Sequence, residues 1–250
     1  MRLFLTSSPC TVHAPEGVPL PFVYNEANGF LNRLSDGLCE PFDAVMIAAW
    51  PEAYDANDEM AWAFGEALRY HDLPMRSMCI IDSRNASQLR DKISGSGLVI
   101  LSGGHVPTEN AFFCEIGLRE ALRRYHGTVM GISAGSMNAA RTVYVQPEED
   151  GESLDPGFRR FIPGLGLTSL QILPHYNQVH DRILDGKRLY EEITVPDSLG
   201  GKTFWVLTDG AYILQEENCA TLCGKALRIH NGEMEPVTSD GETLDLSGFC

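Results

Sequence analysis

Residues Thr128–Asn138 have the sequence TVMGISAGSMN, in which a short apolar run leads into Gly-x-Ser-x-Gly and then into a helical pattern. This order is typical of a nucleophile elbow, where a serine lies on a sharp turn between a strand and a helix. Small residues around the serine permit the strained backbone of such a turn. The segment therefore makes Ser133 the candidate nucleophile. The alternative is a tight turn whose serine only caps the following helix.

Upstream of this segment, short apolar runs alternate with helical patterns. The runs are almost continuously apolar, as strands are when helices cover both faces of a parallel sheet. The alternation predicts an α/β fold with a doubly wound, mostly parallel sheet and helices on both faces. The predicted strands are Arg2–Ser7, Ala44–Ala49, Arg76–Ile81, Leu98–Ser102 and Thr128–Ile132, and the predicted helices lie near Asn25–Asp36, Asn57–His71, Ser87–Ile93 and Thr108–His126.

Downstream of Ala140 the pattern changes. Gln146–Arg160 is acidic and contains Gly and Pro, which predicts a loop or a lid. Beyond it the sequence predicts the strand Ser169–Leu173, the helix Arg182–Ile193, the strand Thr203–Thr208 and a small β-hairpin tail from Ala211 onward. Asn231-Gly232 in that tail is a strong hairpin signal. No linker or repeat divides the chain, so we expect residues 1–250 to form a single α/β domain.

The sequence LSGGH at Leu101–His105 ends the strand that precedes the elbow strand. Two adjacent glycines let the backbone approach a ligand closely, and ligands bind at the carboxyl ends of parallel strands. The backbone N–H groups of Gly104 and Ala134 are therefore the candidate donors to an oxyanion. Taken alone, the LSGGH segment also fits a plain turn between a strand and a helix.

A serine hydroxyl needs a general base at neutral pH, and the chain contains seven histidines. His175 closes an apolar strand, so we expect it at the same edge of the sheet as Ser133. His105 is the rival because it follows Gly103-Gly104 directly, and it is also a candidate substrate-binding residue. His180 is a third candidate, on a loop or in a first helical turn.

The base usually needs a carboxylate that fixes its tautomer. Asp209 follows the strand Thr203–Thr208, whereas Glu148 lies in an acidic run that is also typical of a solvated loop. A carboxylate that orients an imidazole must be partly buried, which favours Asp209 at a strand end. Asp209 and Glu148 both stay candidates. Arg182 is a candidate for binding a substrate carboxylate, since a guanidinium offers two parallel donors. The alternative for Arg182 is a solvated helix face.

The composition excludes several classes of protein. The 250 residues carry a formal net charge of −15, which disfavours binding to nucleic acid. No apolar run approaches the ~20 residues that span a bilayer. The apolar stretch within Met1–Ser8 is too short, and becomes polar too soon, to be a signal peptide. The seven cysteines are scattered without Cys-x-x-Cys spacing, so no zinc site is expected and the cytoplasm is the predicted location.

Four motifs occur in an order that resembles peptidase family S51. They are Gly103-Gly104, GISAG at 131–135, Pro174-His175-Tyr176 and LTDG at 207–210. The resemblance extends from about Val45 to about Gly232. It implies a fold like that of the class I glutamine amidotransferases, with serine where those enzymes have cysteine.

The resemblance also implies roles for individual residues. These are Ser133 as nucleophile, His175 as base, Gly104 and Ala134 as oxyanion donors, and either Glu148 or Asp209 as the acid. The chain departs from the family in two places. Dipeptidase E typically has Gly-Gly-Asn where this chain has Gly-Gly-His, and the late acid is commonly Glu where this chain has Asp.

The function that this resemblance implies is that of a serine peptidase. Short peptides, with aspartyl dipeptides as the suggested case, would be hydrolysed through an acyl-enzyme without a metal or organic cofactor. The alternative is a catalytically silent protein of the same fold that binds a ligand or partner. A glutamine amidase is a third hypothesis, disfavoured because serine is less nucleophilic than cysteine. No motif encodes the oligomeric state, and a homodimer is compatible with the sequence.

Overall fold

The computed structural model describes residues 1–38, 40–217 and 219–249. The strands are β1 Arg2–Thr6, β2 Phe42–Ile47, β3 Met75–Ile81, β4 Leu98–Leu101, β5 Thr128–Ile132, β6 Thr142–Tyr144, β7 Phe161–Pro163, β8 Ile172–Leu173, β9 Ile183–Leu184, β10 Lys187–Arg188, β11 Thr203–Leu207, β12 Tyr212–Glu216, β13 Cys219–Cys223, β14 Ala226–His230, β15 Glu233–Thr238 and β16 Thr243–Asp245. The α-helices are α1 Phe30–Asp36, α2 Tyr54–Tyr70, α3 Leu89–Ser94, α4 Val106–Glu115, α5 Leu118–Leu122, α6 Ala134–Asn138, α7 Tyr176–Val179 and α8 Val195–Asp197. Shorter 3-10 turns lie at Ala27–Gly29, Ala86–Gln88 and Ser247–Phe249, and a π-helical turn lies at Leu189–Thr194.

The central sheet has eight strands in the order β3-β2-β4-β5-β1-β12-β13-β16. The strands from β3 to β1 are parallel, and those beyond β1 are antiparallel. Every residue of β4 and β5 is buried, as the apolar sequences of these strands predict for the middle of a covered sheet. The prediction of an α/β fold with a mostly parallel central sheet is confirmed. The carboxyl ends of β1, β4 and β5 meet at one edge, which is where such sheets bind ligands.

A second sheet of four strands has the order β15-β14-β11-β8. β8 and β11 are parallel, with Ile172 opposite Trp205 and Leu173 opposite Val206. The carboxyl ends of these two strands therefore lie side by side. His175 lies just after β8 and Asp209 lies just after β11, so their side chains meet although 34 positions separate them along the chain.

The predicted hairpin tail is divided between the two sheets. β12 and β13 pair antiparallel and extend the central sheet, whereas β14 and β15 form the hairpin that Asn231-Gly232 predicts. Asn231 and Gly232 have φ of 48° and 91°, as both central residues of a type I′ turn require. The hairpin prediction is confirmed, and its place in a second sheet is a finding of the structure.

Two helix predictions were wrong in detail. The helix predicted over Thr108–His126 is two helices, α4 and α5, because Gly117 has a φ of 66° and interrupts it. The helix predicted over Arg182–Ile193 is instead the ribbon β9–β10, followed by the π-helical turn. Asp185 and Gly186 at its turn have φ of 52° and 79°, so the Asp-Gly pair forms a hairpin turn where a helix is predicted.

Other predicted bounds shift by a few residues. The first predicted helix, Asn25–Asp36, is a short turn followed by α1, and only the last two residues of the predicted strand Ser169–Leu173 are paired. Gln146–Arg160 contains no helix or strand, in agreement with the predicted loop. Among the helices in the three described ranges, none combines the length and the hydropathy of a membrane span.

Candidate active site

Ser133 lies at the carboxyl end of β5, where the chain turns sharply into α6. Its backbone has φ 51° and ψ −114°, a conformation that costs a non-glycine residue of order 1–3 kcal/mol. Its N–H donates to the carbonyl oxygens of Thr6 and Ser7 at 3.1 Å each. The end of β1 therefore fixes the turn, and the serine side chain is held at the edge of the sheet.

The two glycines of the elbow motif are required by close packing. A Cβ added at Gly131 would lie 2.7 Å from the backbone nitrogen of Ser136, and a Cβ at Gly135 would lie 2.3 Å from the carbonyl oxygen of Leu101. Neither glycine has the positive φ that would demand glycine on conformational grounds alone. Gly-x-Ser-x-Gly is therefore a steric requirement of this turn against its neighbouring strand and helix.

The two predicted oxyanion donors border a small recess of about 80 Å³ beside Ser133. Within the part of the chain that the structure describes, the backbone N–H groups of Gly104 and Ala134 donate to no protein acceptor. A Cβ at Gly104 would lie 2.6 Å from Cβ of Ala49, so glycine lets the backbone come this close. His175 borders the same recess, which brings the predicted nucleophile, base and donors together.

His175 is positioned by hydrogen bonds. Its Nδ1 lies 2.8 Å from Oδ1 of Asp209, and its backbone N–H donates to Oγ of Ser7 at 2.7 Å. Ser7 Oγ in turn donates to Oδ1 of Asp209 at 2.6 Å. The backbone of His175 is left-handed, with φ 58° and ψ 30°, at the start of α7. This pairing leaves Nε2 without a partner among the described residues; no hydrogen bond joins it to Ser133 Oγ in this structure, and the two residues meet as walls of the same recess.

Ser7 joins the two halves of the site. Its carbonyl oxygen accepts from Ser133, and its hydroxyl contacts both His175 and Asp209. The sequence interpretation included Ser7 only as the last residue of a strand. Its position as a polar residue at the carboxyl end of a parallel strand was the signal that could have identified it.

Asp209 is held as a carboxylate. Burial alone raises its pKa, but hydrogen bonds from His175 and Ser7, together with the charge of His175, keep the pKa below its ordinary value. Gln178 Nε2 donates to Oδ2 at 2.6 Å, so both oxygens of the carboxylate are engaged. Gln178, like Ser7, was absent from the sequence-based candidates.

Glu148 borders both the small recess and a larger cleft, and its surroundings differ from those of Asp209. Burial raises the pKa of Glu148, opposed by the nearby imidazole of His105. Among the described residues, its carboxylate has no hydrogen-bond partner, whereas its backbone N–H donates to Glu152 Oε2 at 2.7 Å. The structure thus brings Asp209, and not Glu148, into contact with the ring of His175.

His105 is engaged on both ring nitrogens. Nδ1 lies 2.9 Å from Oγ1 of Thr108, and Nε2 lies 3.2 Å from Oε1 of Glu152. The ring also stacks on Trp50, with centroids 6.2 Å apart and planes 16° apart. These contacts disfavour His105 as the rival base and make it part of the wall of the larger cleft.

The remaining candidates lie at the periphery. His180 is exposed, and its ring contacts the carbonyl oxygen of Tyr176 and the carboxylate of Asp181. Arg182 lies in the turn before β9 rather than on a helix, borders the small recess and donates to the carbonyl oxygen of Glu148. In the described ranges, no three His, Cys, Asp or Glu side chains are grouped so that they could hold a metal ion.

The larger cleft has a volume of about 640 Å³ and also borders Ser133 and His175. Its size lies in the range of pockets for small ligands. We call it the apolar cleft after the large side chains that line it, which are Phe22, Met46, Trp50, Met60, Phe64 and Ile80.

Comparisons with known proteins identify the family and the fold. The model of peptidase family S51 matches residues 46–222. A peptidase from an acI-B1 Actinobacterium has a similar structure, with a TM-score of 0.68 at 14% identity over 98% of this chain and 96% of that chain. A Listeria monocytogenes EGD-e protein described as a peptidase E has a TM-score of 0.59 at 14% identity over 95% of this chain and 98% of that chain. No curated protein matches the chain.

Proposed function

The chain belongs to peptidase family S51, and on that premise we propose that it is a serine peptidase that hydrolyses short peptides through an acyl-enzyme. The observation that carries the proposal is the convergence at the small recess. Ser133, on its strained elbow, borders the recess together with His175 and the unpaired N–H groups of Gly104 and Ala134. This is the set of groups that acyl transfer to a serine requires.

In the proposed reaction, Nε2 of His175 takes the proton of Ser133 Oγ as the oxygen attacks the scissile carbonyl carbon. Asp209 holds the proton on Nδ1 and stabilises the imidazolium that forms. The N–H groups of Gly104 and Ala134 donate to the oxyanion, and one such donor typically contributes ~3–4 kcal/mol of transition-state stabilisation. His175 then protonates the leaving amine, and water hydrolyses the acyl-enzyme with the same base.

The geometry favours Asp209 over Glu148 as the third member of this triad. Asp209 contacts the ring and has a depressed pKa, as a carboxylate that stabilises an imidazolium should. Glu148 has a raised pKa and no contact with the ring among the described residues. Aspartyl dipeptides, the substrates that the resemblance suggests, stay a hypothesis, as does a cytoplasmic location.

The proposal is tested by Ser133→Ala. We expect the variant to lose labelling by a fluorophosphonate probe and to lose peptide hydrolysis by a factor on the order of 10⁶, with an almost unchanged melting temperature. Ser94→Ala is the matched control, because Ser94 is an exposed serine that lines neither the recess nor the cleft beside Ser133, and it should keep both labelling and turnover.

The same experiment decides between the enzyme and the silent binding protein. A wild-type chain that is not labelled and does not hydrolyse any peptide of a panel would favour the silent protein. Equal labelling of the wild type and Ser133→Ala would show that another residue reacts and would contradict the assignment of the nucleophile.

A further inference from the structure

One face of a long helix forms a wall of the apolar cleft. Ala56, Met60 and Phe64 of α2 line the cleft at intervals of four residues, so they lie on the same side of the helix. Phe22, from the irregular segment before α1, packs against Phe64 with ring centroids 4.8 Å apart. These side chains form a wall that is continuous with the site of Ser133.

Two large apolar side chains in this cleft are exposed to solvent. Trp50 is 48% exposed and Met60 is 44% exposed. The indole of Trp50 lies beside the candidate oxyanion donor, since a Cβ at Gly104 would be 3.0 Å from its Nε1. A ligand side chain that covers these two residues removes apolar surface from water, which is favourable in proportion to the area buried.

The charges around the apolar cleft disfavour a substrate carboxylate. Glu148 and Glu149 line the cleft, and none of its lining residues in the described part of the chain is Lys or Arg. The two histidines of the lining, His105 and His175, are already paired with Glu152 and Asp209. Arg182 borders the small recess instead and is bonded to a backbone carbonyl. A carboxylate that entered the cleft would lose its hydrating water without forming an ion pair with a Lys or Arg side chain, which costs free energy.

We infer that the apolar cleft binds a large apolar side chain, of the Leu, Met or Phe class, on a residue next to the scissile bond, and that it rejects Asp at that position. Met60 and Trp50 are then specificity-determining residues. The inference rests on the proposed function and narrows its substrate class, in opposition to the aspartyl dipeptides that the resemblance suggests.

The first test measures kcat/KM for two series of dipeptides, in which Leu, Phe or Asp lies on either side of the scissile bond and Ala on the other. We expect Leu and Phe to exceed Asp by at least ~100-fold in one of the two series, because a buried carboxylate without a partner is penalised far more than a missing methylene. An Asp substrate that equals or exceeds Leu and Phe in both series would overturn the inference.

The second test places a cation in the apolar cleft. Met60→Lys should lower the Leu-to-Asp ratio of kcat/KM by at least about tenfold, because it supplies a partner for a carboxylate and removes apolar surface. Trp62→Lys is the matched control. Trp62 is an exposed apolar residue of the same helix that is not among the lining residues of the cleft, so this ratio should stay within about twofold of the wild type. An equal change in both variants, or no change in Met60→Lys, would also overturn the inference.

Labelling of Ser133 separates this inference from the proposed function. A wild-type chain that is labelled by a fluorophosphonate but prefers Asp refutes only the apolar preference. A chain that is neither labelled nor active on either dipeptide series refutes the peptidase and the preference together.

Discussion

The elbow at Ser133 and the segment at His175 both hold a non-glycine residue at positive φ, but they are held by different forces. Besides the hydrogen bonds of its N–H to β1, Ser133 is constrained by packing, because Gly131 and Gly135 leave no room for even one further carbon atom. His175 is constrained mainly by hydrogen bonds to Ser7 and Asp209, which lie far from it along the chain.

The difference predicts how each region responds to mutation. A close-packed turn cannot yield to an added atom without moving the adjacent strand, so its failure should be abrupt. A hydrogen-bonded segment can lose one partner and keep the others, so its failure should be graded.

Gly135→Ala should have the largest effect. The added carbon would lie 2.3 Å from the carbonyl oxygen of Leu101, so β4 and α6 must separate. We expect a loss of ~1–3 kcal/mol in the free energy of unfolding, measured by urea titration, and undetectable peptidase activity.

The matched control is Gly95→Ala, where the nearest atom to the added carbon is 4.0 Å away and φ is −97°. This variant should be neutral or slightly stabilised. A fully active Gly135→Ala would show that packing does not fix the elbow.

Asp209→Asn should lower kcat/KM by a factor on the order of 10⁴ with little change in fold, because an amide no longer holds the required tautomer of His175. Glu148→Gln is the comparison, and its kcat/KM should fall by much less. If Glu148→Gln fell as far as Asp209→Asn, Glu148 would be the third member of the triad.

Ser7→Ala should have an intermediate effect. It removes the acceptor of the His175 N–H and one donor to Asp209, which should cost about 1–3 kcal/mol in the free energy of unfolding. Because the other contacts of His175 persist, we expect kcat/KM to fall only by roughly ten- to a hundredfold. The neighbouring Ser8→Ala, which loses only a 3.3 Å hydrogen bond to Cys10, serves as control. Equal losses in the two variants would contradict the role of Ser7.

The smallest expected effect is on the pH dependence of stability. The pKa of Asp209 is lower in the folded protein than its ordinary value of 3.8, so its ionisation stabilises the fold above that value. This contribution is lost as the pH falls through the folded-state pKa. The difference in unfolding free energy between the wild type and Asp209→Asn should therefore be constant near neutral pH and shrink below about pH 4. A difference that grows on acidification would contradict the assigned direction.

Much of the site could be predicted from the sequence where the signal was local. The apolar run and the Gly-x-Ser-x-Gly of residues 128–135 predict the elbow because strand, turn and helix start are each encoded by adjacent residues. The positions of Gly104 and Ala134 follow from the same local patterns. The Asp185-Gly186 turn signal of the β9–β10 ribbon is equally local, but it lies within residues 182–193, whose sequence pattern also predicts a helix.

Other parts of the site had no local signal. That β8 and β11 pair in a second sheet, and so bring His175 to Asp209, depends on contacts between distant segments. The same holds for Ser7, which reaches Ser133 because β1 lies beside β5, and for the apolar cleft, which joins Phe22 to α2.

The class of fold, the serine on its elbow and the glycines around it follow from the amino-acid sequence, because they depend on steric limits within a few neighbouring residues. The contact of His175 with Asp209, the side chains that line the cleft and the absence of Lys and Arg from its described lining follow from the folded chain. Those properties depend on distances between segments far apart in the chain, and such distances are set by packing as a whole rather than by any one motif.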